Sequence, residues 1–169
     1  LELAMYGLTL SAAKSWAADT QPNEDFASAA DALAYGHCGT VQLLRQLSTL
    51  HQTLDWQTLC RLYFHYRNGA PKPDTLPAPQ ALAQARQQAQ QLTEHLSAQQ
   101  WPQDDYRHEM LLCAEGLWVM ADLLDETCTP TADCSGWLAR YRKAWLRKNK
   151  PSELCRITEL FETLAAHKR

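Results

Sequence analysis

Apolar side chains recur at helical spacing along most of the chain, and this pattern predicts an all-α protein. Few segments show the alternation or the β-branched residues that strands favour. One clear helical stripe follows Thr40, a residue type that caps helix N-termini, and consists of Val41, Leu44, Leu47 and Leu50. We therefore predict one helical domain over residues 1–169, a bundle of about six to seven helices that ends in an antiparallel hairpin.

Four predicted helices make up the first part of the chain. The first helix carries an apolar face formed by Leu1, Met5, Leu8, Ala12 and Trp16. A turn at Gly36 and Gly39 separates the second helix from the third, and Asn68-Gly69 ends the fourth. The predicted ranges are 1–17, 24–34, 40–54 and 56–67. Four prolines within residues 70–79 then predict an extended surface loop, because proline fixes φ and lacks a backbone donor.

The second part of the chain contains an outer helix, a central helix and the final hairpin. A narrow apolar stripe in a glutamine-rich segment predicts the outer helix and consists of Leu82, Ala85, Ala89, Leu92 and Leu96. The next helix begins within residues 102–105 and is apolar almost all round from Met110 to Leu124, as expected of a central buried helix. The hairpin follows, with Trp137, Tyr141, Ala144 and Trp145 on one face before Pro151 and an apolar stripe from Leu154 to Leu164 after it.

Composition and charge narrow the classes of function. A net charge of -3 argues against general nucleic-acid binding, which needs a basic face. No apolar run has the length of a membrane span, and we expect no membrane association. The six cysteines form no C-x-x-C pair, which favours reduced thiols and a cytoplasmic protein. Only Cys128 and Cys134 are close enough in sequence for a local disulfide, and this possibility stays open.

A basic segment precedes Pro151 and extends just beyond it. Its cations lie within seventeen residues and are Arg140, Arg142, Lys143, Arg147, Lys148, Lys150 and Arg156. The neighbouring aromatic residues fall on the opposite side of the helix, where they cannot stack on bases beside these cations. Two interpretations remain, a face that is solvated or paired with acids of the same chain, and a surface for an acidic partner.

No catalytic, cofactor or metal site is predicted. The adjacent acids Asp104-Asp105 and Asp125-Glu126 fall at helix ends, where a structural role is expected. A thiol–imidazole dyad or a metal site would need His37, Cys38, Cys60 and His65 to converge, and the sequence indicates no further ligand.

The two ends of the chain resemble one enzyme family. The opening LELAMYGLTLSAAKSW resembles the last barrel segment of bacterial β-N-acetylhexosaminidases of glycoside hydrolase family 20, and Trp137 to Leu164 is similar to the helical tail of that group. The resemblance implies that residues 1–17 are the last helix of a catalytic barrel that this chain lacks. Asp125-Glu126 has the letters of the family's catalytic pair without its barrel strand and glycines, so that role is not transferred.

Three functions follow as hypotheses. The first, implied by the resemblance, is a non-catalytic C-terminal domain of an exo-β-N-acetylhexosaminidase, which supports its own barrel and assembly through Leu1, Met5, Leu8 and Trp16. We expect a homo-oligomer, in which the basic helix and the proline-rich loop approach the catalytic domain of a neighbouring copy. The orphaned apolar face of residues 1–17 would then drive self-association or be reused within the chain. The second is an independent module that binds an acidic protein through Arg140, Lys143 and Arg147. The third, an enzyme in its own right, requires a pocket that unites His37, Cys60 and His65.

Overall fold

The structure, a computed structural model, describes residues 24–102 and 104–168, and these contain seven α-helices and no strand. The helices are α1 (Glu24–Ala30), α2 (Thr40–Thr53), α3 (Trp56–Asn68), α4 (Pro79–Ala98), α5 (Asp104–Leu124), α6 (Cys134–Lys148) and α7 (Leu154–Ala166). A π-helical turn, Asp31–Tyr35, continues α1, and a short 3-10 turn, Pro151–Glu153, precedes α7. The predicted all-α bundle with its final hairpin is confirmed. The helix predicted for residues 1–17 lies outside the described residues.

Helix α5 is the centre of the bundle, as its sequence predicts. Every residue from Val119 to Asp125 is buried, and earlier turns bury Met110 and Ala114. Helix α4 packs along α5 through the predicted stripe, while the glutamines beside that stripe face solvent. No helix in the described part of the chain combines the length with the apolar composition that a membrane span requires.

The start of α2 differs from the sequence prediction. Thr40 does not cap the helix, because its hydroxyl donates to the carbonyl of His37 at 2.9 Å. The cap comes from Asp31, whose buried carboxylate accepts hydrogen bonds from the backbone N–H groups of Gly39 (2.6 Å) and Val41 (2.8 Å). Gly39 has a φ of +86°, in the left-handed region that favours glycine, and the turn returns the chain to Asp31. This contact spans eight to ten residues, so a local capping rule could not find it.

Helices α5 and α6 approach most closely where Trp137 packs on Gly116. A Cβ atom added at Gly116 would lie 2.9 Å from Cζ2 of the indole, which leaves no room for a side chain. The indole Nε1–H of Trp137 donates to the carbonyl of Leu112 at 2.9 Å, which fixes the ring against α5. This end of the α5–α6 interface therefore depends on a glycine inside a helix, where glycine costs about 1 kcal/mol relative to alanine.

We predict that Gly116→Ala destabilises the protein in the presence of Trp137 and stabilises it in a Trp137→Phe background. Overpacking costs about 1–3 kcal/mol, which opposes the gain in helix propensity of about 1 kcal/mol. The smaller phenylalanine ring in Trp137→Phe removes the clash and leaves the gain in helix propensity. Urea unfolding of the four proteins in this double-mutant cycle measures the coupling. Equal effects of Gly116→Ala in both backgrounds would show that the close approach does not limit stability.

Candidate functional site

An open groove with a volume of about 720 Å³ runs between α2, α5, α6 and α7 and includes the start of α3. Its lining is mostly apolar. We call it the aromatic groove and define it by the rings that line it, Trp56, Trp137, Tyr141, Trp145 and Phe161. An open apolar surface of this kind on a packed bundle is typical of a binding site.

The rings of the aromatic groove form a continuous row. Along α6, ring centroids lie 5.3 Å apart for Trp137 and Tyr141 and 5.9 Å apart for Tyr141 and Trp145. Phe161 of α7 contacts Trp137 edge-on at 4.7 Å, and Trp56 lies 6.2 Å from Phe161. The indole N–H of Trp145 donates to the carbonyl of Lys150 at 2.9 Å. Because the donors of Trp137 and Trp145 are satisfied within the protein, these two indoles offer an incoming ligand mainly apolar contact.

Ion pairs join α6 to α5 beside the groove. Arg140 donates to Glu115 at 2.9 Å and Arg147 to Asp105 at 2.9 Å, while Lys148 pairs with Glu109. The Arg147 guanidinium lowers the pKa of Asp105 below its ordinary value. These three cations thus pair with acids of the same chain, and the surface for an acidic partner stays a prediction.

The residues predicted to form an interface fall into two groups, those of the basic helix α6 and those within residues 1–17. Arg140 and Arg147 face acids of α5, and Lys143 is exposed. Leu1, Met5, Leu8 and Trp16 lie outside the described residues. Their role in an interface or in self-association stays a prediction.

A second polar cluster lies beneath the loop between α5 and α6. Arg86 of α4 donates from Nε to Asp122 at 2.5 Å and from Nη2 to Asp125 at 2.9 Å. Both acids are buried. The second carboxylate oxygen of Asp122 accepts the backbone N–H groups of Thr131 and Ala132, each at 2.7 Å. The cluster thus ties α4, α5 and the loop together.

The adjacent acids Asp125 and Glu126 are both stabilised in their charged forms. Burial alone would raise the pKa of Asp125, but hydrogen bonds from the hydroxyl of Thr127 and from Arg86 lower it well below its usual range. The pKa of Glu126 is lowered by the Lys72 ammonium and by the hydroxyl of Tyr66, which outweigh its desolvation. A general acid needs a raised pKa. These contacts support the structural interpretation of the pair.

The residues considered for a dyad or a metal site have separate partners. The His37 ring stacks on Trp101 with centroids 4.1 Å apart, and Nδ1 of His65 contacts the carbonyl of Ala70 at 2.7 Å. Within residues 24–102 and 104–168, no three histidine, cysteine or acidic side chains are grouped as metal ligands would be. All six cysteines, Cys128 and Cys134 included, are free thiols.

Sequence reasoning missed both the groove and the Arg86 cluster. A signal for the cluster was present, because Asp122 interrupts the apolar run of the central helix and a buried carboxylate needs a cation. Arg86 follows Ala85 of the predicted stripe and was therefore a candidate cation for Asp122. For the groove no such signal exists, since an apolar helix face is equally consistent with a closed core.

We predict that Arg86→Met lowers the free energy of unfolding by about 3–5 kcal/mol, because it leaves two buried carboxylates without their cation. Urea unfolding at neutral pH measures the loss. Arg61→Met is the matched control, since Arg61 is exposed on α3. A loss as small as that of the control would show that water replaces the guanidinium at little cost.

The lowered pKa of Asp125 also predicts the direction of acid unfolding. A carboxyl with a lower pKa in the folded state stabilises the fold above its unfolded pKa of about 3.9, and this stabilisation is lost as the pH falls from that value towards the lower folded pKa. Stability should therefore decrease less between neutral pH and pH 3 in Asp125→Asn than in the unmodified chain. Asp74→Asn, in the exposed proline loop, is the matched control. Parallel profiles for all three proteins would contradict the assignment.

Comparisons with known proteins identify no relative. No protein-family model matches the chain, and the searches of curated proteins and of solved structures give no match.

Proposed function

We propose that this chain is the non-catalytic C-terminal helical region of an exo-β-N-acetylhexosaminidase and that it supports the catalytic barrel of the whole protein. The observation that carries the proposal is the aromatic groove, an open apolar surface between helices that are otherwise well packed. Such a surface needs a partner. The resemblance of both chain ends to family 20 hexosaminidases suggests that the partner belongs to that enzyme.

The polar groups of the described residues support a role without catalysis. Asp122 and Asp125 hold Arg86, and Glu126 holds Lys72 and Tyr66. Hydrolysis of a glycoside needs a carboxyl that keeps its proton and donates it to the leaving group. The hydrogen bonds to Asp125 and Glu126 favour ionisation of both, and we assign the removal of terminal N-acetylglucosamine or N-acetylgalactosamine to the barrel.

The aromatic groove also favours a second candidate, an independent module that binds a helical segment of another protein. Helix-in-groove recognition uses an apolar groove of this kind. Since Arg140 and Arg147 are paired with acids of α5, recognition in this case would depend on the rings more than on the basic face. The exposed Lys143 would contribute at the edge.

We predict that a chromogenic N-acetylglucosaminide is hydrolysed by the full-length gene product that contains this sequence and not by residues 1–169 alone. The two proteins are assayed side by side at equal concentration. Activity in the full-length protein alone is the expected result. No activity in either protein would overturn the hexosaminidase assignment and favour the binding module, and activity in the 169-residue chain would overturn the non-catalytic role.

A matched pair of substitutions in the full-length protein tests the groove itself. Trp145→Ala removes a ring from the groove, whereas Leu146→Ala alters the next residue, which is exposed. If the groove supports the barrel, only Trp145→Ala should shorten the half-life of the activity at elevated temperature. Equal half-lives for Trp145→Ala and Leu146→Ala would show that the groove does not support the barrel.

A further inference from the structure

We propose that the solvent-facing side of α6 binds an acidic segment of another protein and that an apolar residue of this segment packs on Leu146. We call this surface the outer basic face and define it by Arg142, Lys143, Leu146 and Lys150, which are all exposed. None of these four residues lines the aromatic groove. The inference therefore goes beyond the proposed function and does not rest on it, because it concerns a different surface of the bundle.

The ion pairs of α6 leave the outer basic face available to a partner. The cations on the α5 side of the helix are held by acids of α5. Within residues 24–102 and 104–168, no ion pair joins Arg142, Lys143 or Lys150 to an acidic side chain. The structure thus separates cations that stabilise the bundle from cations that can attract another molecule.

Helix α6 itself cannot neutralise these charges. Its residues, Cys134–Lys148, include no aspartate or glutamate, so no ion pair between neighbouring turns can form. Lys143 instead follows Arg140 by three residues and precedes Arg147 by four, and like charges at this spacing repel each other. The helix dipole attracts cations only in the last turn, which does not include Arg142 or Lys143. A bound acidic segment would relieve this repulsion.

Leu146 forms an apolar centre within the outer basic face. It is 53% exposed, although leucine is usually buried. Arg142 and Lys143 precede it by four and three residues, so they lie beside it on the helix surface. The backbone of Lys150 is held near the end of α6, because its carbonyl accepts the indole N–H of Trp145 at 2.9 Å. A leucine bordered by three cations is complementary to an apolar residue bordered by carboxylates.

Nucleic acid and a membrane surface match the outer basic face less well. Stacking on bases needs aromatic rings beside the cations, but Tyr141 and Trp145 line the aromatic groove. A helix that lies in a membrane surface needs a broad apolar face, and here the apolar part is Leu146 alone. An acidic protein segment can use both the cations and the leucine, and we therefore assign the face to this class of partner.

The test of the charges uses the complete 169-residue chain and a fluorescein-labelled peptide of glutamate and leucine, with the leucines at helical spacing. Fluorescence anisotropy measures the Kd. Lys143→Glu should raise the Kd about tenfold, because it replaces an attraction by a repulsion. Arg61→Glu is the matched control, since Arg61 is exposed on α3 and the net charge changes equally. The control should change the Kd by less than about twofold, because distant charges are screened.

The test of the apolar centre uses Leu146→Gln, which leaves every charge in place. This variant should raise the Kd of the leucine-containing peptide about fivefold, because the apolar contact is lost. It should not change the Kd of a second peptide in which glutamine replaces each leucine. Trp145→Ala, at the preceding residue, removes a ring of the aromatic groove and serves as the comparison. Urea unfolding shows that each variant is folded.

Other results would overturn the proposal. Equal effects of Lys143→Glu and Arg61→Glu would show that the peptide responds to net charge alone. A larger increase in Kd for Trp145→Ala than for Leu146→Gln would place the peptide in the aromatic groove.

The choice of partner class is tested with the same variants. Absence of binding by the leucine-containing peptide would exclude this class of ligand. Single-stranded DNA or phosphatidylserine vesicles that bind more tightly than the peptide, and that Lys143→Glu releases, would assign the face to a nucleic acid or a membrane. The hydrolysis assay does not depend on these measurements, so a failure of this inference and a failure of the proposed function can be told apart.

Discussion

The packing of α5 against both α4 and α6 is the constraint on which the rest of the structure depends. Its C-terminal half is buried on nearly every side, and α6 contacts it closely where Gly116 accepts the Trp137 ring. Nearer the start of α5, the groups that face α6 are acids, and Asp105 and Glu109 reach α6 only through long cationic side chains. The contact thus changes from a ring on a glycine to paired charges along one interface. The aromatic groove is lined by residues from both parts of this interface, Glu109 and Lys148 in one and Gly116 and Trp137 in the other.

The buried charges of the Arg86 cluster fix the position of α6 from the other side. Asp122 accepts the backbone N–H groups of Thr131 and Ala132, and the next residue, Asp133, caps α6 by accepting the N–H of Gly136 at 2.9 Å. The start of α6 is therefore held by hydrogen bonds that lead back to Arg86 on α4. A buried ion pair is weak evidence for stability, because desolvation offsets the attraction. Its role here is better understood as placing α6, and with it the rings, relative to α5.

Hydrophobic periodicity was sufficient to predict the helices and the central place of α5. The spacing of apolar residues indicates whether a helix is buried on one face or on all faces. It was not sufficient for Asp31, which caps a helix that begins nine residues later through a turn whose geometry depends on glycines. Nor could it predict the groove. Trp137, Tyr141 and Trp145 share one helix face, yet only Trp137 is buried and the other two rings are partly exposed, since burial also depends on what lies opposite. An apolar stripe predicts that a helix face is buried, but it does not predict which element packs on that face.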